Sequence, residues 1–269
     1  MQTITFEQVK DINLAHTFEC GQCFRWNPIG EDYLGVVGDY ACRAHLEDDV
    51  LTLQVSGGDE AFWRNYFDLD TDYGAIKSIL ISQEPRIEKA IESGYGIRIL
   101  RQNCFEALIS FIVSQNNNIP RIKKCIEGLC ESFGHRIDFP CEGSLYSFPT
   151  AGTLAAASVE DLAMLKLGYR DRYIIEAGKR FVEEGEPCRE SISSYLGVGP
   201  KVANCIKLFG MRCVDAFPID VWVRRIMADM YGFEENDVKG MQKFAEEKYG
   251  ELGGYAQQYL FHYYRNVKL

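Results

Sequence analysis

The fold is decided by SSYLGVGPKVANC at residues 193–205, together with FPID at residues 217–220. Gly197 and Gly199 flank a single valine, and such a turn needs backbone angles that glycine adopts at little cost. Pro200 suits the first position of a helix, where its missing N–H removes no hydrogen bond. The pattern predicts two short helices joined by a tight glycine turn.

The predicted turn has the properties of a phosphate-binding site. Its backbone amides precede a helix N-terminus, where free N–H groups and the helix dipole both favour an anion. A contact between Gly197 or Gly199 and a DNA phosphate would position the duplex without reading its sequence. By itself the turn indicates only binding to a phosphate backbone.

Two side chains near the turn carry candidate chemistry, and each also has a simpler interpretation. Lys201 lies in the first turn of the second helix, where the positive helix end disfavours a protonated amine and so favours a nucleophilic one. It could equally bind phosphate or solvent. Asp220 precedes an apolar-patterned run, as an N-cap residue does. An ionised aspartate beside a sugar would also stabilise the positive charge that develops as a glycosidic bond breaks.

The overall composition is that of an ordinary globular protein. The chain has 269 residues, of which 46% are hydrophobic and 25% charged, enough for a substantial core. Its net charge of −10 argues against nucleic-acid binding, although only the field at the contact surface decides this.

The sequence shows neither a signal-peptide pattern nor an apolar run of about 20 residues. We therefore expect an intracellular protein of the cytoplasm or nucleoid, not attached to a membrane.

Ten cysteines are present, and a chain without an export signal more often keeps them as thiols. Cys20 and Cys23 form a C-x-x-C pair without the second ligand pair that a zinc site requires. No four-cysteine run occurs and no cysteine follows Cys213, so we expect no iron–sulfur cluster. Most of the ten are predicted to be small buried hydrophobic residues.

Periodicity divides the chain into two parts. Residues 22–26, 33–37 and 50–55 have the composition of short strands and are each followed by turn residues, with Pro28 taken as part of the turn after the first. This pattern predicts a small antiparallel sheet. After residue 59 apolar residues recur at helical spacing. The clearest examples are Phe105, Leu108, Ile109 and Ile112, then Ile122, Cys125, Ile126 and Leu129.

These patterns predict an α+β fold. We expect an N-terminal domain of residues 1–100 that combines the antiparallel sheet with helices. A larger all-α region of residues 101–269 would follow and contain the glycine hairpin at about residues 190–210.

Several motifs, in order along the chain, resemble one family. GVGPKVA at residues 197–203, followed by PID, resembles the helix-hairpin-helix glycosylases that carry a catalytic lysine. Within that superfamily, further motifs resemble the eukaryotic-type 8-oxoguanine DNA glycosylases. These motifs are GQCFRW at 21–26, LRQ at 100–102, SFI at 110–112, SQNNNI at 114–119 with Arg121, LGYR at 167–170 with Arg172 and Tyr173, AQ at 256–257 and LF at 260–261.

The resemblance implies an enzyme of base-excision repair that is both a DNA N-glycosylase and a lyase at apurinic or apyrimidinic sites. Its substrate would be double-stranded DNA in which 8-oxoguanine lies opposite cytosine, and the base would be flipped out of the duplex. Lys201 would attack C1′, form a Schiff base and cleave the strand by β-elimination, while Asp220 would assist electrostatically. No cofactor would be required, and we expect a monomer.

The resemblance also implies the residues of the lesion-base pocket. The Gly21 carbonyl would accept from N7–H, the hydrogen that distinguishes 8-oxoguanine from guanine. Phe261 and Cys205 would sandwich the base, although the Cys205 contact could equally be packing. Gln257 would read the Watson–Crick edge.

Four further residues would contact the duplex itself. Asn116 would fill the space that the flipped base leaves, and Tyr169 would wedge between the base pairs. Arg121 and Arg170 would contact the estranged cytosine, because a guanidinium donates several hydrogen bonds from a fixed fork.

The sequence departs from the family at two positions. Trp222 stands where the family usually has a histidine, and the hairpin opens with Tyr195 and leucine rather than leucine and proline. Family members bind a cation through backbone carbonyls of the hairpin. Here the carbonyls of Ser193, Tyr195 and Val198 would provide that structural site, since backbone ligands survive side-chain changes.

Three alternatives compete with this interpretation. A monofunctional alkylpurine DNA glycosylase of the same fold would lack Lys201. A non-catalytic DNA-binding module would use the hairpin only for phosphates and would not need Asp220 or the base pocket. A metal or redox protein built on Cys20 and Cys23 would need further ligands.

Overall fold

An antiparallel sheet of five strands forms the N-terminal part of the computed structural model, which describes residues 1–141 and 143–267. Its strands are β1 (Gln2–Phe6), β2 (Trp26–Ile29), β3 (Asp32–Val37), β4 (Tyr40–Glu47) and β5 (Val50–Val55), and helix α1 (Leu14–Glu19) lies between β1 and β2. The strand order is β1-β5-β4-β3-β2. The predicted antiparallel sheet is therefore confirmed, and β3 and β5 coincide with two predicted strands.

The first predicted strand, at residues 22–26, is wrong in position. Strand β2 begins only at Trp26, and the loop before it turns through Gly21 at a φ of +78°. Pro28, taken from the sequence as a turn residue, lies within β2. The strand is at the edge of the sheet, where the missing N–H of proline is tolerated. Strands β1 and β4 were not predicted.

Aromatic packing fills the space beneath the sheet. The Trp26 ring stacks on Phe18 of α1 with a centroid distance of 4.1 Å. Helix α2 (Glu60–Tyr66) adds Trp63, which is fully buried in the same core. The Trp26 indole packs directly on Gly35. Any larger residue at this position would clash, because its Cβ atom would lie 2.4 Å from the indole.

Helices make up most of the remaining chain, with one short two-stranded ribbon and isolated 3-10 turns. The helices are α3 (Tyr73–Gln83), α4 (Glu88–Ser93), α5 (Cys104–Ser114), α6 (Ile119–Phe133), α7 (Ala151–Ala156), α8 (Val159–Leu162), α9 (Arg170–Glu184), α10 (Pro200–Phe209), α11 (Val221–Tyr231), α12 (Val238–Tyr249) and α13 (Gly253–Val267). The ribbon pairs β6 (Arg136–Ile137) with β7 (Leu145–Tyr146), and 3-10 turns occupy Pro85–Ile87, Ala163–Leu165, Ile192–Ser194 and Gly250–Leu252.

Helix α5 lies at the centre of the helical core, with nine of its eleven residues buried. It packs against α6, α9 and α10. The helical spacing predicted for α5 and α6 is confirmed, and the apolar positions named from it are buried. Helices α3 and α4 also belong to this core, since α4 packs on α13. Residues before position 100 thus contribute to both cores.

The glycine hairpin differs from its prediction in two respects. Its first helix is a single 3-10 turn, Ile192–Ser194, whereas its second is the ten-residue α10. Only Gly197 needs glycine for its backbone angles, with a φ of +80°. Gly199 has an ordinary φ of −80° and is the N-cap of α10, with Pro200 in the first helical turn as predicted.

This difference predicts unequal effects of two alanine substitutions. In Gly197→Ala the new Cβ would lie 2.3 Å from the Tyr173 ring at an unfavourable φ, whereas Gly199 has open space around it. We expect Gly197→Ala to lower the free energy of unfolding by about 2 kcal/mol or more, and Gly199→Ala by less than about 1 kcal/mol. Chemical denaturation of the two variants measures this, and equal losses would contradict the strain at Gly197.

All ten cysteines are free thiols, and seven are buried. This confirms the prediction that most of them act as small hydrophobic residues.

Among the described residues, no group of three or more His, Cys, Asp or Glu side chains is placed to hold a metal ion. No helix in the described part of the chain has both the length and the apolar character needed to cross a membrane.

Candidate active site

A cavity of about 490 Å³ opens where α5, α10 and α13 meet the loop after α1. It is lined by all six residues predicted for catalysis and for the base pocket. These six residues are Gly21, Lys201, Cys205, Asp220, Gln257 and Phe261. The structure therefore gathers side chains that lie far apart in the sequence at one site.

Lys201 enters the cavity from the first turn of α10. Its side chain is half-buried, and its Nζ lies 5.6 Å from the centre of the Phe111 ring. No side chain caps the N-terminus of α10, so the positive helix end stays close to the amine. Phe111 in turn stacks on Phe209 of α10 with centroids 5.3 Å apart, which fixes this wall.

Asp220 both caps α11 and faces the cavity. Its Oδ1 accepts from the backbone N–H of Val223 at 2.8 Å, so the predicted N-cap is confirmed. Burial raises the pKa of the Asp220 carboxyl above its ordinary value, against the lowering effects of that hydrogen bond and of the Lys201 charge. The cap holds the carboxylate in a fixed position near the amine.

Gly21 is held in the cavity wall by its neighbour Gln22. The fully buried Gln22 amide donates to the Thr17 and Arg98 carbonyls at 2.8 and 2.7 Å and accepts from Leu100 N–H at 2.8 Å. A Cβ at Gly21 would lie 3.4 Å from the Phe261 ring. The backbone thus comes close to the aromatic face.

Cys205 of α10 and Gln257 of α13 also line the cavity. Burial raises the pKa of the Cys205 thiol, and the positive charge of Lys201 opposes that shift. Gln257 is 4% exposed, and its Oε1 accepts a hydrogen bond from Gln258 Nε2 at 2.7 Å.

Several cavity residues were not predicted as site residues from the sequence, namely Phe24, Phe111, Asn117, Gln258 and Arg265. Arg265 donates to the Glu19 carbonyl at 3.0 Å and lies 5.9 Å from the Phe261 ring centre, so it links α13 to the end of α1. The three- and four-residue spacing of Gln258, Phe261 and Arg265 was the available signal. Trp222, noted as the departure from the family histidine, lines the cavity as well.

The residues predicted to contact the duplex lie outside the cavity. Asn116 and Tyr169 are exposed side by side, with Asn116 Nδ2 donating to the Tyr169 hydroxyl at 3.3 Å. Arg121 is also exposed, and its guanidinium donates to the Lys166 carbonyl at 3.2 Å. The base plug and the wedge predicted from the sequence are therefore neighbours at the rim.

Arg170 differs from the other three because it is only 7% exposed. Its guanidinium donates to the carbonyls of Gln115 and Leu167, at 3.1 and 2.9 Å, and lies 4.6 Å from the Tyr169 ring centre. In this structure it supports the loop that carries Asn116. Its contact with the opposite base stays a prediction.

Two histidines bring α13 into contact with α1. His262 follows Phe261 on α13, and its ring lies 4.9 Å from that of His16 on α1. Both buried Nδ1 atoms lack a hydrogen-bond partner among the described residues. Burial, with smaller effects of His16 and Arg265, lowers the pKa of His262 to about 4.

The lowered pKa of His262 predicts a loss of stability in acid. An unfolded histidine binds its proton near pH 6.5, so the unfolded state gains protons that the folded state does not bind until about pH 4. We expect the free energy of unfolding to fall by about 3 kcal/mol across this window. Denaturation of His262→Asn between pH 7 and 4 should lack most of this loss. His135→Asn, at a side chain that is 65% exposed, should retain it, and equal slopes in both variants would contradict the assignment.

Two family models together match most of the chain. One describes the N-terminal domain of 8-oxoguanine DNA glycosylase and matches residues 4–108, and the other describes an HhH-GPD superfamily base excision DNA repair protein and matches residues 109–251. Among curated proteins, the N-glycosylase/DNA lyase of Saccharomyces cerevisiae is 32% identical over 286 aligned positions, covering 90% of this chain and 74% of that protein.

Solved structures show the same similarity along the full length. The 8-oxoguanine glycosylase/lyase of Clostridium acetobutylicum, in complex with double-stranded DNA that contains cytosine opposite 8-oxoG, superposes with a TM-score of 0.93 at 35% identity. That match covers 99% of this chain and 96% of the other. A protein named MBOgg1, bound to a low affinity DNA ligand, matches with a TM-score of 0.93 at 40% identity over 100% and 97% of the two chains.

Proposed function

Because this chain belongs to the 8-oxoguanine DNA glycosylase family within the HhH-GPD superfamily, we propose that it excises 8-oxoguanine from duplex DNA. It acts as an N-glycosylase on the damaged base and as a lyase on the abasic site that results. The preferred partner of the lesion is cytosine, the base that faces 8-oxoG in the Clostridium complex. No cofactor is needed, since side chains supply both the nucleophile and the charge.

The observation that carries this proposal is the shared cavity of Lys201 and Asp220. The amine nitrogen bonds to C1′ as the bond from C1′ to the base breaks and its electron pair leaves with the base. Proton loss from nitrogen and opening of the sugar give an imine, and removal of a C2′ proton expels the 3′ phosphate. Asp220 stabilises the positive charge that develops on the sugar. Water then releases the lysine.

Recognition of the base follows from the cavity walls. Gly21 offers its carbonyl to N7–H, and guanine, which lacks this hydrogen, would leave the buried acceptor unpaired at a cost of about 1–3 kcal/mol. Phe261 and Cys205 enclose the base faces, and Gln257 meets its Watson–Crick edge.

The rim residues hold the opened duplex. Tyr169 wedges between base pairs, Asn116 occupies the vacated space, and their existing hydrogen bond at 3.3 Å supports joint action. Arg121 contacts the estranged cytosine. Arg170 joins it only if the guanidinium exchanges a carbonyl partner for the base, so its first role is to support the loop.

The hairpin binds the DNA backbone. Gly197 and Gly199 place backbone amides ahead of the uncapped N-terminus of α10, which suits a phosphate. The proposed ligands of a structural cation are the carbonyls of Ser193, Tyr195 and Val198, because hard cations take carbonyl oxygens as ligands. The Tyr195 carbonyl accepts one described backbone hydrogen bond, from Val198 at 3.0 Å, which leaves it a second lone pair. A cation there would strengthen the phosphate contact. A single chain contains the complete cavity, which supports action as a monomer.

A trapping experiment tests the proposal. The protein is incubated with a duplex that carries one 8-oxoguanine opposite cytosine, and borohydride is added to reduce any imine. We expect a covalent protein–DNA adduct together with the released base. Excision without an adduct would exclude the lysine mechanism, and binding without excision would favour the non-catalytic DNA-binding module.

A further inference from the structure

Arg265 is a positively charged side chain of the cavity that the mechanism does not yet use. It is half-buried in the last turn of α13 and lines the cavity with Phe261, whose ring centre lies 5.9 Å from its guanidinium carbon. Its Nη1 donates to the Glu19 carbonyl at 3.0 Å, and it has no carboxylate partner among the described residues. The guanidinium therefore brings an uncompensated positive charge to the cavity.

The charged side chains that line the cavity are two cations and one anion. Lys201 and Arg265 are the cations, and Asp220 is the anion. The Lys201 amine must lose its proton before it can attack C1′, whereas a guanidinium is not deprotonated in proteins. Arg265 is thus the cation that remains in the cavity wall when the chemistry begins.

A flipped nucleotide brings anions to the cavity along with its base. One phosphate joins its sugar to the strand on the 5′ side and another on the 3′ side, and both approach the protein when the base is extruded. A guanidinium binds phosphate through a planar fork of N–H donors. The contact with Glu19 occupies Nη1 and leaves the Nε and Nη2 donors of Arg265 for such a ligand.

We propose that Arg265 binds a phosphate of the flipped nucleotide and so holds the damaged nucleotide in the cavity. The proposal rests on the function proposed above. Phe261 is the proposed stacking partner of the base, and the guanidinium lies beside its ring, so neighbouring side chains of α13 would hold the base and the phosphate of one nucleotide. The simpler alternative is that Arg265 only links α13 to α1 through Glu19.

Replacement of single phosphates by neutral methylphosphonates separates these two roles. The probe is a duplex with a tetrahydrofuran abasic analogue opposite cytosine, which cannot form the imine and is not cleaved. One version has normal phosphates, and two versions carry a methylphosphonate on the 5′ or on the 3′ side of the analogue. Dissociation constants are measured for wild type, for Arg265→Met and for Arg265→Lys, which keeps the charge.

We expect one of the two methylphosphonates to weaken binding by the wild type about tenfold, because a charged hydrogen bond is lost. The same methylphosphonate should change binding by Arg265→Met less than about twofold, since the partner of that phosphate is already absent. Arg265→Lys should retain most of the wild-type response. On the duplex with normal phosphates, the slope of log K against log salt should fall by about 1 in Arg265→Met only.

Arg64→Met is the matched control, because Arg64 forms an ion pair with Asp70 and does not line the cavity. It should respond to both methylphosphonates as the wild type does. If Arg265→Met loses the same factor of affinity on all three duplexes, the residue only links the two helices and this inference is overturned. Failure of the wild type to excise 8-oxoguanine in the trapping experiment would instead overturn the proposed function.

Discussion

Lys201→Gln is expected to abolish the borohydride-trapped adduct and to lower base excision and strand cleavage by about 10³-fold or more. Glutamine retains a polar side chain of similar reach at the start of α10 but has no nucleophilic amine. A loss of 10³-fold corresponds to about 4 kcal/mol of transition-state stabilisation. Single-turnover kinetics on the duplex containing 8-oxoguanine, with and without borohydride, measure both effects.

Lys207→Gln provides the matched control. Lys207 lies in the last turn of the same helix and does not line the cavity, so its removal changes the net charge equally without touching the site. We expect wild-type trapping from this variant. A full-strength adduct from Lys201→Gln would assign the imine to a different amine and refute the catalytic role of Lys201.

The parts of the fold that were predicted correctly are those set by local rules. The positive φ of Gly197 and the position of Pro200 follow from the conformational preferences of these residue types. The burial of α5 and α6 follows from helical periodicity. The position of β2 was wrong because Pro28 was taken as a turn signal, and only the strand order shows that it lies on a sheet edge.

Prediction of the candidate site depended more strongly on tertiary structure than prediction of the fold did. Motifs that resemble one family supplied Gly21 and Phe261, which lie far apart in the sequence and are neighbours in the cavity wall. Neither the burial of Arg170 nor the hydrogen bond from Arg265 to the Glu19 carbonyl could be predicted, because each depends on which backbone or side chain lies opposite. The contact of His16 with His262 is of the same kind.

Asp220→Asn is expected to leave folding and DNA binding nearly unchanged while base excision falls by about 10²–10³-fold. Asparagine caps helices about as well as aspartate, so the hydrogen bond with Val223 can persist. Without its charge the residue no longer stabilises the positive sugar in the transition state. Asp237→Asn is the matched control, because Asp237 caps α12 with the same kind of bond to Gly240 and lies away from the cavity.

The pH dependence of excision separates the charge of Asp220 from its capping role. Because burial raises the pKa of Asp220, this carboxylate gains its proton at a higher pH than an exposed aspartate as the solution becomes acidic. Wild-type excision should therefore decline with falling pH before ordinary aspartates titrate, and Asp237→Asn should show the same decline. Excision by Asp220→Asn should lack this decline and should stay slow at every pH. Unchanged turnover in Asp220→Asn would instead reduce Asp220 to a helix cap, and Lys201 would then act without an electrostatic partner.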